Sequence, residues 1–326
     1  MDDPDRAPPP PARQPPARSR DTCLESPAVQ ESVQNPLQQS LHDYTEALHI
    51  AAGIKDLDGP NVNPLCHTRL YSQGHRVERS LVLLHGFTNC PQQMDSLGKL
   101  FYQRGWNVFI PRYPRHGYID RLNTSIAELR AEHLIALANR AADVGQGLGE
   151  RVTIAGLSLG AILTGYLAQT REGIDRAALI APMLGLKPIP GPVMNAMSRL
   201  ATKLPNFYMW WNRQLKDKLG PPYGYPRFST HAYAALFEVG DLLVRSARAN
   251  APKPRSTVVV TNAAEPRLDN RSTYRLIESW RANGATIETH EFPLPDHLRH
   301  DLIDPGNSAQ NTALVYPILS RLIEGN

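Results

Sequence analysis

The chain of 326 residues is long enough for one large domain with a buried core, or for two small ones. A net charge of +4 with scattered basic residues gives no stripe or patch of the kind nucleic-acid binding needs, so most arginines read as solvated surface. Three cysteines (Cys23, Cys66 and Cys90) are too few for a disulfide framework. They are read as free thiols, although one pair can bridge if the protein is exported.

Residues 1–40 are rich in Pro, Arg, Gln and Ser and poor in large apolar residues, which predicts a disordered tail. The start of the chain is charged and proline-rich, with no signal peptide visible. A soluble, cytoplasmic protein is the default expectation. Leu41, Tyr44, Leu48 and Ile50 then suggest a short amphipathic helix. Residues 68–71 read as an edge strand. Ser80-Leu81-Val82-Leu83-Leu84 reads as a strand buried on both faces, ending at His85-Gly86.

A helix is expected over 92–104, stopped by Gly105 after the last-turn Arg104. Residues 106–110 make the next strand, closed by Pro111, and 126–146 a long helix with apolar spacing of three and four. The apolar run 152–168 is shorter than the roughly 20 residues a membrane span needs. It also carries Gly156, Ser158, Gly160 and Gly165, so no span is expected. It divides into a strand over 152–155 and a helix over 158–170.

Further strands are expected at 177–180, 257–261 and 286–292, with helices at 272–283 and 311–324. Strands alternating with helices imply βαβ units and a mostly parallel sheet with helices on both faces. Residues 183–228 break the rhythm with prolines and aromatics and no clear strand, so they read as an insertion.

The strongest chemical signal is Gly156-Leu157-Ser158-Leu159-Gly160, between an apolar strand and an apolar helix. A sharp strand-to-helix turn projects the middle hydroxyl from the sheet edge. The flanking glycines avoid collisions with strand and helix. The helix N-terminus adds a positive dipole end where negative charge develops. Without that context the string would be an ordinary turn with a capping serine.

Acyl transfer needs two donors for a developing oxyanion: the N–H of Leu159 is one candidate and that of Phe87, in His85-Gly86-Phe87, the other. His85 itself, just before the glycine, suits a structural hydrogen bond better than a base. The serine also needs a base and an orienting acid, in the chain order acid then histidine. After the strand at 257–261, Glu265 is favoured as the acid. Asp269 is the alternative, with helix capping as its simpler role. In the loop after the last strand, His300 is favoured over His297.

Competing chemistries find little support. There is no phosphate loop and no His-Glu-x-x-His helix, and His42, His49, His67 and His75 lack metal-ligand spacing. Gly145-Gln146-Gly147-Leu148-Gly149 resembles a dinucleotide fingerprint. It follows a helix and precedes a strand, the reverse of what pyrophosphate binding requires, and reads as a loop.

With these residues in place the chain resembles the α/β-hydrolase superfamily. It looks most like bacterial single-domain carboxylesterases and monoacylglycerol lipases, over about 81–324. Leu84-His85-Gly86-Phe87-Thr88, Pro111-Arg112-Tyr113-Pro114-Arg115-His116-Gly117 and Gly156 to Gly160 carry the likeness. The resemblance implies a triad of Ser158, Glu265 (or Asp269) and His300 (or His297), an oxyanion hole at Phe87 and Leu159, and no cofactor. It also implies a small-molecule acyl ester as substrate, and a cap formed by the insertion at 183–228. Met183, Leu184, Met194, Met197, Phe207, Tyr208, Met209, Trp210 and Trp211 make that insertion apolar, as an acyl pocket would be. The family usually has aspartate where Glu265 stands. Amide, peptide or thioester hydrolysis by the same residues, or an inactive fold that only binds, are the rival readings.

Overall fold

Seven of the strands pair into one sheet, in the spatial order Arg69–Tyr71, Asn107–Ile110, Val77–Leu84, Gly149–Leu157, Arg176–Ile180, Ser256–Asn262 and Ile287–Phe292. The computed structural model describes residues 36–187, 200, 203–218, 220–307 and 310–325. The part of the expected tail at 1–35, Cys23, and the insertion residues Met194 and Met197 lie outside them. Helix α1 (Pro36–Lys55) takes in the last five residues, 36–40, of the expected tail.

Strand β1 (Arg69–Tyr71) runs antiparallel to β3 (Asn107–Ile110) at one edge. All other pairings in the sheet are parallel: β2 (Val77–Leu84) with β3 and β4 (Gly149–Leu157), then β5 (Arg176–Ile180), β8 (Ser256–Asn262) and β9 (Ile287–Phe292). Apolar residues alternate between the two faces. Val82, Leu84 and Ile154 join the core layer of α1, α3 (Ala131–Leu148), α4 (Leu159–Thr170) and α5 (Thr230–Ala247). Leu81, Leu83 and Ala155 join that of α2 (Gln92–Gln103) and α7 (Thr312–Glu324). Helix α6 (Asn270–Ala282) packs Leu276 and Trp280 against Leu243 of α5 and Val259 of β8. The strands in the middle are thus apolar on both sides, as a parallel sheet covered by helices demands.

Four sequence expectations change. The long helix expected over 126–146 divides into a 3₁₀ turn (Ser125–Glu128) and α3, because Leu129 adopts an extended backbone. Gly145 to Leu148 form the last turn of α3, not a loop, and Gly149 opens β4 directly. Gly147 gives α1 room, since a Cβ there would overlap the carbonyl oxygen of Asp43, whereas Gly145 and Gly149 lie close against the sheet at Val82 and Ser80. The insertion contains a short antiparallel pair, β6 (Tyr208–Trp210) and β7 (Arg227–Ser229), and α5 follows it, capped by the Ser229 hydroxyl.

The fourth change concerns the thiols. Cys66 and Cys90 form a disulfide, with Cα atoms 5.2 Å apart. The free-thiol reading fails for these two because the fold brings the Pro64–Cys66 turn beside the loop after β2, a proximity that cysteine counting does not carry. Among the described residues, no helix is long and apolar enough to cross a membrane.

Candidate active site

The C-terminal ends of β2, β4, β8 and β9 deliver the singled-out residues. Ser158 stands between β4 and α4 with φ 61° and ψ −110°. A non-glycine residue pays a steric cost for positive φ, and it persists only where the surroundings fix it. Here Ser158 N–H donates to Ile180 O at 2.9 Å, and Ser158 O accepts from Ile162 N–H at 3.2 Å. The glycines leave no alternative packing: a Cβ on Gly156 would overlap Gly160, and one on Gly160 would overlap the carbonyl oxygen of Leu84. The serine is 4% exposed, and its Oγ lies 3.9 Å from Met183 Sδ.

Leu159 is the first residue of α4, so its N–H has no intrahelical partner one turn back and lies at the positive end of the helix. Phe87 belongs to the turn after β2, where Asn89 N–H donates to Gly86 O and Thr88 has φ 62°. A Cβ added to Gly86 would come 3.7 Å from Ser158 Cβ, so this turn runs beside the serine.

His85 serves that turn structurally. It is fully buried, with Nδ1 2.9 Å from Gly86 O and Nε2 accepting from Tyr113 N–H at 3.4 Å. Burial, reinforced by the charges of His116 and Arg112, pushes its pKa well below the ordinary histidine value, so the ring is neutral.

Glu265 and His300 meet: His300 Nδ1 lies 2.7 Å from Glu265 Oε2. Glu265 is 3% exposed, and its Oε1 accepts the N–H groups of Arg267 (3.0 Å) and Leu268 (3.3 Å). Burial alone would raise this carboxyl. The His300 hydrogen bond and charge, with the two backbone donors, outweigh it and hold the pKa below the usual value.

The alternatives sit apart from this pair. Asp269 is the N-cap of α6, accepting Arg271 N–H at 3.2 Å. His297 is exposed, ending the 3₁₀ turn Leu294–Asp296 in a left-handed conformation. Among the described residues, no group of three His, Cys, Asp or Glu is arranged to hold a metal ion.

The insertion packs onto the turn that carries Phe87. Trp211 Nε1 donates to Thr88 Oγ1 at 2.9 Å, and Tyr225 N–H to Thr88 O at 2.7 Å. The Phe87 ring packs against Trp211 and Tyr233. Lys187 reaches the carbonyl of Glu265. Met183, named from the sequence only as one of several insertion residues, contacts the serine directly. Gln93, Tyr223, Asp301 and Asp304, which tie these loops together, carry no sequence signal that would have singled them out. The structure pairs His300 with Glu265, while the hydrogen-bond partner of Ser158 Oγ is Met183 Sδ and not His300. A buried serine hydroxyl at a helix N-terminus and a carboxylate-oriented imidazole are the group types that nucleophilic acyl transfer uses.

Comparison with known proteins gives three kinds of likeness. The model of an alpha/beta hydrolase family matches residues 81–305. A thermostable monoacylglycerol lipase of Bacillus sp. (strain H-257) is 28% identical over 34% of this chain, which spans 47% of that lipase's length. Among solved structures, that of a metagenome-derived lipolytic enzyme superposes with a TM-score of 0.59 at 17% identity, covering 81% of this chain and 99% of that one. A monoacylglycerol lipase of Paleococcus ferrophilus gives 0.59 at 16% identity, covering 79% and 98%. A soluble variant of the Saccharomyces cerevisiae monoglyceride lipase gives 0.58 at 13%, covering 79% and 90%. At these identities the structural likenesses speak for the fold alone.

Proposed function

The chain belongs to the alpha/beta hydrolase family, and from that premise we propose that it hydrolyses carboxylic esters of the acyl-ester or monoacylglycerol type, with Ser158, Glu265 and His300 as its triad. The observation that carries the reading is the 2.7 Å contact of His300 Nδ1 with Glu265 Oε2, in a structure whose β4–α4 turn holds Ser158 at positive φ.

In this reading His300 takes the Ser158 proton through Nε2 as Oγ attacks the acyl carbon. Glu265 holds the ring in the tautomer with its proton on Nδ1 and stabilises the imidazolium that forms. The N–H groups of Phe87 and Leu159 bind the oxyanion. His300 then protonates the departing alcohol, leaving an acyl group on Ser158. Water, deprotonated by the same histidine, attacks that acyl-enzyme and releases the acid and the free serine.

The insertion acts as a cap. Met183, against Ser158 Oγ, and the ring cluster of Phe87, Trp211, Phe228 and Tyr233 supply apolar walls for an acyl chain. The 28% identical monoacylglycerol lipase supports an ester over an amide substrate. The Cys66–Cys90 disulfide favours an oxidising compartment over the cytoplasm expected by default.

The test is a matched panel of ester, thioester and anilide substrates carrying the same acyl groups, graded in length. The reading expects kcat/KM highest for the esters. Anilide or thioester turnover exceeding ester turnover would reassign the substrate class. A folded protein that turns over none of them would be left with a binding role.

A further inference from the structure

Gln93 lies in the first turn of α2, 4% exposed, between the turn that carries Phe87 and the loop that carries His300. Its Oε1 accepts the Gly86 N–H at 2.7 Å, and its Nε2 donates to Asp301 Oδ2 at 3.1 Å. Chemistry fixes the orientation of the amide: a backbone N–H requires the oxygen, and a carboxylate requires the nitrogen. Gly86 directly precedes Phe87, and Asp301 directly follows His300. The other oxygen of Asp301 accepts the N–H groups of Ile303 and Asp304 at 3.2 and 3.1 Å, so this carboxylate organises the histidine loop. In the other direction Gln93 N–H donates at 3.0 Å to the carbonyl of Cys90, itself the disulfide-bonded residue at the end of the Phe87 turn.

We propose that Gln93 is a positioning residue that holds the oxyanion turn and the histidine loop in one register, a role that rests on the Ser158, His300 and Phe87 reading above. Two segments far apart in the chain must agree to within a fraction of an ångström for one to bind the oxyanion while the other moves the proton. A buried amide that spends its donor on one loop and its acceptor on the other makes each loop the reference for the other. Neither bond touches substrate, so the effect falls on the rate of chemistry and leaves ground-state binding alone.

The test exchanges the polarity of the bridge in the full-length protein. Gln93→Glu keeps an oxygen for Gly86 N–H but sets a carboxylate against Asp301. Asp301→Asn alone turns an amide N–H toward the Gln93 N–H, since its oxygen is held by Ile303 and Asp304. Each single change is expected to lower kcat about tenfold or more, with KM within about threefold, from a misplaced oxyanion donor and an unsatisfied buried group. The double variant restores a donor facing an acceptor, and its kcat is expected to return to within about threefold of wild type. Rates are taken per active site, titrated to the endpoint with a fluorophosphonate, so that a loss of folded protein does not register.

Gln93→Met keeps the volume and removes both hydrogen bonds. If Gln93→Glu does not fold, Gln93→Met must show the same loss in kcat with KM unchanged. A Gln93→Glu or Gln93→Met variant with wild-type kcat, or a double variant no faster than its singles, overturns the proposal while the active wild type keeps the triad reading intact. A wild type inert toward esters and probe overturns the triad reading and the bridge together.

Discussion

Replacing Glu265 by Gln alters one group in the carboxyl and, through the geometry of its turn, the tautomer of His300. Oε1 is held by two backbone donors, Arg267 N–H and Leu268 N–H, whereas Oε2 faces only His300 Nδ1. The oxygen of the new amide therefore stays with the turn, and its NH₂ points at the imidazole. Nδ1 must then accept, the ring proton moves to Nε2, and the nitrogen that should take the serine proton is already protonated. The negative charge that stabilises imidazolium is lost as well. A wrong-tautomer histidine costs about 10⁴ in kcat in serine hydrolases, so Glu265→Gln should lower kcat by about 10³–10⁴ with KM nearly unchanged. Asp269→Asn is the control: asparagine caps a helix as well as aspartate, and kcat should hold within about twofold. Steady-state hydrolysis of a chromogenic short-chain ester measures both. A Glu265→Gln enzyme with more than about a tenth of wild-type kcat, or an Asp269→Asn enzyme without activity, refutes the reasoning.

The two histidines separate in the same assay. His300→Ala should lose about 10³-fold or more in kcat, and the exposed His297→Ala at most about twofold; the reverse pattern would move the base to His297. Asp304 makes a pH-dependent prediction. It is fully buried, with the Tyr223 hydroxyl donating to it, and burial and the neighbouring Asp301 charge raise its pKa from 3.8 to about 6. The folded protein therefore binds this proton more tightly than the unfolded chain. Stability on this account falls as pH rises from about 4 to about 6, by about 3 kcal/mol. Asp304→Asn removes that titration, so its melting temperature relative to wild type should rise between pH 4.5 and pH 8. A difference that stays constant across that range contradicts it.

Much of the sheet was legible because its strands are buried on both faces. Runs such as Leu81 to Leu84 and Val258 to Val260 have nowhere to go but between two helical layers. Ser158 was legible for a related reason. Gly156 is dictated by its contact with Gly160 inside the turn, and Gly160 by the close passage of the β2 end at Leu84, so the short string carries the signature of the turn. Helix α5 was hidden behind the proline- and aromatic-rich insertion, where no strand rhythm remained to locate it. The choices between Glu265 and Asp269, and between His300 and His297, depended on which side chains two loops 35 residues apart turn toward each other. Sequence spacing does not encode that direction. Asp269 caps a helix as its simpler reading had it. The disulfide and the Gln93 bridge were illegible for the same reason: each joins segments that only the folded chain brings together.

The central claim is that Ser158 is the nucleophile. Intact-mass and peptide mapping of the protein after treatment with a fluorophosphonate tests it most directly. The account predicts a single phosphonyl adduct on the peptide containing Ser158 in the wild type, its absence in Ser158→Ala, and loss of ester hydrolysis in step with labelling. Equal labelling of Ser158→Ala, or an adduct on another residue that tracks the loss of activity, would contradict it.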